Sequence, residues 1–348
     1  MKAFVLAAGF GTRMRPITET VPKPLLPIGQ VPLIGYSLKL LAANDITDVI
    51  VNTHHLSRTL MDEIGDGSAY GVNIQWSVED EILGTGGALK RMQSVLDETF
   101  VVLNSDTLID LDLEAAVAHH RRSGALATMV LREDPAARDY GAIEVDGEQR
   151  VRRILGEGHD APELRALMFT GTHVIEPGFL EYLPPEVESC VVRYGYRKTL
   201  DNGEPLYGYV HDGFWADAGT PARFLAANEA ALARQFSLRY ADPRVGLDGE
   251  PQEQEPGVTV SANASVADDA TLLGPVSVGA GAKIAAGATV GPNVVLNAKA
   301  TVGKDATVRD SVVLRQGKIE AGGRYERSVV GRKVALSGEP PAQSAAAI

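Results

Sequence analysis

A six-residue repeat in the last third of the chain restricts its fold more than any other feature. Aliphatic residues recur at every sixth position, and a smaller apolar residue stands two positions before each of them. The aliphatic series is Val260, Val266, Leu272, Val278, Ile284, Val290, Leu296, Val302, Val308 and Leu314, and the smaller series is Val258, Ala264, Ala270, Val276, Ala282, Ala288, Val294, Ala300, Ala306 and Val312. A helix cannot keep this period on one face, because six is not a multiple of 3.6. The glycines and β-branched residues here are also poor helix formers.

Each hexad therefore predicts one short strand and one corner, with both apolar side chains pointing inward. About three hexads would close a triangular coil, which is the pattern of a left-handed parallel β-helix. We predict this β-helix over residues 258–336. Residues 241–257 are polar and rich in Pro, Gly and Glu, so they predict a linker. Residues 337–348 predict a disordered tail.

Residues 1–240 have a different pattern, in which short apolar runs alternate with amphipathic stretches. The predicted strands include Ala3–Ala8, Asp48–Asn52, Phe100–Leu103 and Ala127–Leu131, and the predicted helices include Leu33–Asn44, Arg58–Gly65, Leu113–Ser123 and Pro221–Arg234. This alternation predicts an α/β domain with a Rossmann-like, mostly parallel sheet covered on both faces. Ligands of such a sheet bind at the carboxyl ends of its strands.

Charge and cysteine content restrict the partners of the chain. The formal net charge of −12 disfavours nonspecific binding to nucleic acid or to an anionic membrane, because both need a basic surface. The only cysteine is Cys190, so no intrachain disulfide can form, and we expect a cytoplasmic protein. The apolar start of the chain is too short for the hydrophobic region of a signal peptide.

A glycine loop follows the first predicted strand. Gly9 and Gly11 allow its backbone amides to face a phosphate chain with no side chain in the way, and Arg13 and Lys23 supply cations. The loop fits neither the dinucleotide fingerprint, since Met14 replaces the third glycine, nor a Walker loop, since no Gly-Lys-Ser/Thr follows. The sequence predicts a phosphate-handling loop of another kind.

This loop resembles the opening signature of the sugar-1-phosphate nucleotidyltransferases. The signature stands here as GFGTRMRP at 9–16 and PKP at 22–24. The resemblance implies that Arg13 and Lys23 are catalytic, Arg13 at the departing pyrophosphate and Lys23 at the α-phosphate. It further implies nucleotide contacts from the loop and the strand before it, namely Leu6, Ala8, Gly9, Gly11 and Thr12.

Two aspartates are candidate metal ligands. Asp106 ends a buried strand in the sequence FVVLNSD, and Asp217 lies in WADAGTP just before a helix that Thr220 and Pro221 can start. Each could also be an ordinary cap. In the resembling family, aspartates of these two segments bind Mg²⁺ together, so the resemblance implies a magnesium site at Asp106 and Asp217.

Further segments match parts of the family that hold the base and the sugar. The sequence LGTGGA at 83–88 resembles the segment that packs its backbone against the nucleobase, which implies contacts from Gly84, Thr85 and Gly86, with Ser105 nearby. Tyr140-Gly141 and Phe169-Thr170-Gly171 resemble segments of the sugar pocket. The resemblance thus implies that Gly141, Thr170 and Gly171 bind sugar.

The chain also departs from the family pattern. The usual Glu-Lys-Pro, whose lysine binds the phosphate of the sugar 1-phosphate, is replaced by ILGEG at 154–158. Another cation must bind that phosphate, and the sequence does not rank the candidates Arg152, Arg153, Arg165, Arg197 and Lys198. Family members that use dTTP often have Gln-Pro where this chain has Ser77-Val78. This difference disfavours dTTP as the nucleotide.

The resemblance implies a reaction in which NTP and a sugar 1-phosphate give an NDP-sugar and pyrophosphate. The segments look most like the mannose 1-phosphate guanylyltransferases, which implies GTP as the nucleotide. A uridylyltransferase for an N-acetylated amino-sugar 1-phosphate, a guanylyltransferase for a heptose or cyclitol 1-phosphate, and a noncatalytic nucleotide-sugar sensor are the alternatives. Acyl transfer by the β-helix is disfavoured, because all seven histidines lie before residue 241. The β-helix favours a homo-oligomer.

Overall fold

The computed structural model describes residues 1–135, 137–138, 141–185, 187–246 and 251–337. Tyr140, part of the predicted linker and all of the predicted tail except Ser337 lie outside the described residues. Within the described part of the chain, no helix has both the length and the apolar character needed to cross a bilayer.

In the described part of the chain before residue 240 there are six α-helices and fourteen strands. The helices are α1 (Leu33–Ala42), α2 (Ser57–Ile64), α3 (Gly84–Arg91), α4 (Leu113–Ser123), α5 (Arg197–Asp201) and α6 (Pro221–Leu232). The strands are β1 (Lys2–Leu6), β2 (Pro27–Ile28), β3 (Val31–Pro32), β4 (Asp48–Thr53), β5 (Asn73–Val78), β6 (Phe100–Asn104), β7 (Thr107–Ile109), β8 (Ala127–Arg132), β9 (Ile143–Val145), β10 (Val151–Ile154), β11 (Glu157–Gly158), β12 (Arg165–Ile175), β13 (Leu206–Val210) and β14 (Trp215–Asp217).

Short strands fill the rest of the described chain. They are β15 (Gln252–Glu255), β16 (Val258–Val260), β17 (Ser265–Val266), β18 (Thr271–Leu272), β19 (Val276–Val278), β20 (Lys283–Ile284), β21 (Thr289–Val290), β22 (Val294–Leu296), β23 (Thr301–Val302), β24 (Thr307–Arg309), β25 (Ser311–Val313), β26 (Lys318–Ile319), β27 (Arg324–Glu326), β28 (Ser328–Val330) and β29 (Ala335–Ser337).

The chain divides into two compact units. Unit 1 contains residues 1–9 and 37–215, and unit 2 contains residues 10–36 together with the chain from residue 216 onward. The sequence had placed a single division near residue 240. The structure differs because residues 10–36 and α6 pack with the strands of the repeat, a long-range association that leaves no local pattern in the sequence.

Unit 1 is built on a ten-stranded sheet. Strands β6, β1, β4 and β5 are adjacent and parallel, as the alternating pattern predicts. Strand β12 then enters antiparallel to both β6 and β8, so the second half of the sheet is mixed. One face of the sheet is buried in a large apolar cluster that includes Phe4, Phe100 and Tyr196. The parallel half brings the ends of β1, β4, β5 and β6 to one edge.

Unit 2 contains the parallel β-helix that the hexads predict. Val258, Val276 and Val294 are partners in successive parallel strands, so one coil takes eighteen residues, or three hexads. The inward series is buried from Val276 to Val308, with alanines such as Ala282 and Ala300 fully enclosed. The fold class is thus confirmed as an α/β sheet followed by a parallel β-helix, while the left-handed sense remains a prediction.

The six-residue register ends earlier than predicted. Strand β22 pairs with β25 so that Leu296 lies beside Val313, which makes this coil one residue shorter. Val313 therefore joins the inner core of the β-helix, in the place that the period assigned to Leu314. The missing residue falls at the corner between β24 and β25, where Asp310 has a positive φ of 46°.

The predicted linker holds a strand. Gln252–Glu255 pairs antiparallel with Val258–Val260 and covers the edge of the first coil. All four of its side chains are exposed, so no apolar alternation marked it in the sequence.

Candidate active site

The end of β1 carries the start of the glycine loop in unit 1. Leu6 accepts a hydrogen bond from Ser105 N at 3.1 Å, so the ends of β1 and β6 are held together. Ala8 is buried, whereas Gly9 is exposed and a Cβ on it would meet nothing within 4 Å. This open backbone is suited to the close approach of a ligand.

The rest of the glycine loop belongs to unit 2 and is tightly folded. Gly11 has φ +62°, and its carbonyl accepts hydrogen bonds from Met14 N at 2.9 Å and from Thr18 Oγ1 at 2.9 Å. Thr12 and Arg13 follow in a 3₁₀ turn, with both side chains exposed. A Cβ on Gly11 would lie 3.1 Å from Cβ of Lys23, so the loop and Lys23 are neighbours.

Lys23 begins a second 3₁₀ turn, Lys23–Leu25, and its side chain is only 9% exposed. A charged amine is rarely so enclosed without a partner of opposite charge or a set of acceptors. The two cations predicted to be catalytic therefore differ in burial: the Arg13 side chain is exposed, and Lys23 is enclosed beside the loop.

Arg13 and Asp217 are brought together at Gly219. A Cβ on Gly219 would lie 2.6 Å from Arg13 Nη2 and 2.7 Å from Asp217 Oδ1. The other oxygen of Asp217, Oδ2, accepts from Arg223 Nη1 at 2.7 Å. The carboxylate is thus flanked by two guanidinium groups. No motif in the sequence marks Gly219 or Arg223 as members of this cluster.

Helix α6 fixes the position of this cluster. Thr220 Oγ1 accepts from Arg223 N at 3.3 Å and Pro221 occupies the first turn, as the sequence predicts for a helix start. Asp217 does not cap α6, so the alternative interpretation of that residue is wrong. On α4, by contrast, Asp112 Oδ1 accepts from Ala115 N and is a cap.

The glycine segment at the start of α3 packs against protein backbone. Gly86 N donates to Ser189 O at 2.7 Å, and a Cβ on Gly84 would come within 2.6 Å of the same oxygen. Thr85 Oγ1 accepts from Val191 N at 2.9 Å. Close contact with Ser189 therefore accounts for these glycines, and their predicted role at the nucleobase stays a prediction.

The predicted sugar-binding residues lie in unit 1. Gly171 has φ +86° and lies against the Asn104 side chain, and Gly141 has φ +86° and lies against Leu155. Thr170 is buried, and its hydroxyl donates to Val130 O at 2.8 Å. Its carbonyl accepts from the Trp215 indole at 3.1 Å.

Sequence reasoning missed a cation at this place. The Arg132 guanidinium lies over the Trp215 ring, 5.5 Å from its centroid, and its buried Nε has no hydrogen-bond partner. Four of the cations that the sequence offered for the acceptor phosphate are in ion pairs, Arg152 with Asp146, Arg153 with Glu144, Arg165 with Glu133 and Arg197 with Glu157. Arg132 gave no signal because its partner is eighty-three residues away in the chain.

Ser105 and Asp106 lie in the turn between β6 and β7 of unit 1. Ser105 is buried and Asp106 is half-buried. Aspartate oxygens are hard ligands of the kind Mg²⁺ takes, one or two from the protein with the rest from phosphates and water. Asp217, with one oxygen paired to Arg223, fits such a role. Among the described residues, no three His, Cys, Asp or Glu side chains form a metal-binding group.

His211 lies close to the start of β14. Its Nε2 is 3.3 Å from Phe214 O, and burial lowers its pKa below the ordinary value for histidine. We infer that it is neutral at neutral pH and serves to hold the chain before Trp215.

Comparison with known proteins agrees with this architecture. Residues 2–234 match the family model described as nucleotidyl transferase, and the chain belongs to that family. Residues 272–338 match a second model, described as the GMPPB C-terminal domain, which covers most of the β-helix.

Several curated relatives are similar over most of the chain. A UTP–glucose-1-phosphate uridylyltransferase of Synechocystis sp. and a mannose-1-phosphate guanylyltransferase of Mycobacterium tuberculosis are each 34% identical, over 80% of this chain and 74% of theirs. An N-acetylmuramate alpha-1-phosphate uridylyltransferase of Neisseria meningitidis is 34% identical over 67% of this chain and 99% of its own. The crystal structure of a protein assigned as a glucose-1-phosphate thymidylyltransferase of Bacillus anthracis is similar with a TM-score of 0.59, at 26% identity over 68% of this chain and 97% of that one.

Proposed function

We propose that this protein is a mannose-1-phosphate guanylyltransferase, which makes GDP-mannose and pyrophosphate from GTP and mannose 1-phosphate. The reaction class rests on membership of the nucleotidyl transferase family. The choice of substrates rests on one observation, the match of the β-helix to the GMPPB C-terminal domain. Mannose-1-phosphate guanyltransferases of Mycobacterium tuberculosis, Yarrowia lipolytica and other organisms, at 30–34% identity, support it.

The chemistry requires positioning and charge neutralisation. An oxygen of the sugar phosphate attacks the α-phosphorus of the nucleotide in line, a new P–O bond forms, and the bond to the pyrophosphate leaving group breaks. No covalent enzyme intermediate is needed, so catalysis comes from holding the reactants in line and from fixed positive charge near the phosphates.

Arg13 and Lys23 provide this charge in the proposal. Arg13, exposed beside Asp217, binds the departing pyrophosphate, and the enclosed Lys23 binds the α-phosphate and its transition-state charge. The glycine loop presents backbone amides to the phosphates, as the open position of Gly9 allows. Gly84, Thr85, Gly86 and Ser105 form the base side, and Gly141, Thr170 and Gly171 form the sugar side.

We propose Mg²⁺ as the cofactor, with carboxylate ligands from Asp106 and Asp217. When bound, the ion would neutralise phosphate charge. The ion pair with Arg223 orients the Asp217 carboxylate and keeps one of its oxygens directed toward Gly219.

A second candidate is a uridylyltransferase for glucose 1-phosphate or an N-acetylated amino-sugar 1-phosphate. The relatives from Synechocystis sp. and Neisseria meningitidis favour it, because their identity to this chain equals that of the mycobacterial guanylyltransferase.

The test is pyrophosphate release with Mg²⁺ from GTP, UTP, dTTP, ATP and CTP, each combined with mannose, glucose, N-acetylglucosamine, N-acetylmuramic acid and heptose 1-phosphates. We expect the strongest release from GTP with mannose 1-phosphate. Strongest release from UTP would favour the second candidate, and nucleotide binding without release in any combination would favour a noncatalytic sensor.

Lys23→Met tests the assigned chemistry. It removes the charge beside the loop, so we expect turnover to fall by about a hundredfold or more, because fixed positive charge is aimed at the transition state. Lys304→Met, on an exposed corner of the β-helix, is the matched control and should turn over at the wild-type rate. Equal rates for both variants would overturn the role of Lys23.

A further inference from the structure

A chain of buried hydrogen bonds connects two parts of unit 1 that the sequence assigns to nucleotide binding. Its middle members are Asn52, at the end of β4, and Glu79, directly after β5. Both side chains are only 2% exposed. Neither residue is among the candidate site residues that the sequence predicts.

The hydrogen bonds of this chain converge on the Glu79 carboxylate. Ala7 N donates to Asn52 Oδ1 at 2.8 Å, and Asn52 Nδ2 donates to Glu79 Oε1 at 2.7 Å. At the other side, Leu83 N donates to Glu79 Oε2 at 2.9 Å. Ala7 lies at the start of the phosphate loop, and Leu83 is the residue before the glycine segment of α3.

The hydrogen-bond roles of these atoms are fixed by their neighbours. A backbone N–H can only donate, so Ala7 needs an acceptor and takes the Asn52 oxygen. The Asn52 amide nitrogen then faces Glu79, whose two oxygens accept from Asn52 and from Leu83. Each of the three hydrogen bonds joins a donor to an acceptor. A buried mismatch at any of them would be unfavourable, because water cannot replace the lost partner.

We propose that Asn52 and Glu79 are positioning residues of the nucleotide site. They hold the backbone at Ala7 at a fixed spacing from the backbone at Leu83, and so fix the distance between the triphosphate and the base of the bound nucleotide. The proposal rests on the proposed function, because that function assigns these two segments to the nucleotide.

Single exchanges between acid and amide should break the chain. In Glu79→Gln an amide N–H₂ replaces one of the two acceptor oxygens, so a donor faces either Leu83 N–H or the Asn52 N–H₂. If the Asn52 amide turns over to accept this new donor, its own N–H₂ then faces Ala7 N–H. In Asn52→Asp a second buried carboxylate faces that of Glu79. Each substitution keeps the size of the side chain, so the core packing is preserved.

The reciprocal double variant should restore the chain. With Asn52→Asp and Glu79→Gln together, the new carboxylate accepts from Ala7 N–H and from the new amide, while the amide oxygen accepts from Leu83 N–H. The double variant still has one buried carboxylate, now at position 52 instead of position 79. A residue that serves only to fill space would not show this reciprocity.

The experiment measures the four proteins of this cycle with two controls. Equilibrium dissociation constants for GTP and UTP and the KM values for both substrates are determined well below the unfolding temperature of every variant. Glu81→Gln and Asn73→Asp make the same chemical changes at exposed positions beside or on β5. We expect each single variant to weaken nucleotide binding about tenfold, with the KM for sugar 1-phosphate changed less than about twofold. The double variant and both controls should have dissociation constants for nucleotide within about threefold of the wild-type value.

Three outcomes would overturn the proposal. In the first, the single variants bind nucleotide with wild-type affinity. In the second, the KM for nucleotide and the KM for sugar 1-phosphate rise by the same factor. In the third, the double variant recovers thermal stability but not nucleotide affinity. Because affinity is measured without turnover, a wild-type protein that binds nucleotide but forms no product defeats the proposed function and leaves this test intact. A wild-type protein that binds no nucleotide defeats both.

Discussion

The guanidinium of Arg13 and the carboxylate of Asp217 approach the same point, the place where a side chain on Gly219 would begin. Arg13 Nη2 lies 2.6 Å and Asp217 Oδ1 2.7 Å from that point. A Cβ at position 219 would therefore meet the ends of two side chains, whereas the backbone there does not need glycine, since its φ lies outside the left-handed region.

Gly219→Ala should lower turnover and leave the fold intact. The methyl group would displace the flexible end of Arg13, the Asp217 carboxylate, or both, and a misplacement of about 1 Å in a catalytic group can lower a rate by up to a hundredfold. We expect a fall of about tenfold or more in kcat with an unchanged unfolding temperature. Gly147→Ala is the matched control, because a Cβ there would meet nothing within 4 Å. A variant with wild-type kcat would show that Arg13 and Asp217 tolerate displacement.

Residues 27–32 are bound to the β-helix within unit 2. Gln30 Nε2 donates to Ser277 Oγ at 2.9 Å and to Leu296 O at 3.2 Å, and Asn297 Nδ2 donates to Gly29 O at 3.0 Å. Ser277 points outward from its strand, yet it is buried, so this face of the β-helix is covered.

Gln30→Ala and Asn297→Ala should therefore each destabilise unit 2, by about 1 kcal/mol for the hydrogen bonds lost. Thermal unfolding measures the loss, and hydrogen exchange at Gly29 and Gln30 should become faster in both variants. Ser265→Ala, on an exposed face of the β-helix, is the control and should match wild type. If both variants exchange and unfold like the control, the hydrogen bonds at Gln30 do not hold this segment.

The sequence predicted the elements far better than their association. The six-residue period located the β-helix and its inward residues, and it failed only where a corner is one residue short, at Val313. The presence of strands β1, β4 and β6 in a parallel sheet followed from the local alternation of strands and helices. In contrast, the packing of residues 10–36 with the repeat depends on Gln30 and Asn297, which are polar residues far apart in the chain. No periodicity marks such a pair.

The same limit applies to the candidate site. Recognisable sequence segments contain Arg13, Lys23, Asp106 and Asp217, so these residues could be predicted as site residues. Gly219, Arg223, Glu79 and Asn52 act through contacts with other side chains or with distant backbone, and their neighbours in sequence carry no sign of these contacts. Only the folded chain shows that Glu79 is a buried acceptor with two donors.

Acid should destabilise unit 1 through His173. Complete burial lowers its pKa to about 3, and its Nδ1 lies 2.6 Å from the hydroxyl of Tyr196. The unfolded chain takes up a proton on this histidine near the ordinary value of 6.5, so below that pH the unfolded state binds more protons than the folded state. The free energy of unfolding therefore falls as the pH drops from about 6.5 toward 3, by about 1.4 kcal/mol per pH unit for this group.

Comparison with His173→Gln isolates this contribution. The variant lacks the titrating group, so the stability difference between wild type and variant should change by about 1.4 kcal/mol per pH unit between pH 6 and 4.5. Denaturant unfolding at several pH values measures it. Tyr196→Phe removes the same hydrogen bond but keeps the histidine, so its difference from wild type should not depend on pH. A constant difference for His173→Gln would show that His173 takes up its proton at the same pH in the folded and the unfolded protein.

Arg132 should affect the binding of the sugar 1-phosphate through its contact with Trp215. Its guanidinium stacks on the indole, and the indole N–H donates to Thr170 O in the predicted sugar-binding segment. Arg132→Met keeps much of the length and loses the charge, so the indole loses an attraction of about 1 kcal/mol and its fixed position. We expect the KM for sugar 1-phosphate to rise about fivefold, the KM for nucleotide to stay unchanged, and the fluorescence of Trp215 to shift. Arg121→Met, on an exposed position of α4, is the control, and equal KM values in the two variants would exclude Arg132 from the acceptor site.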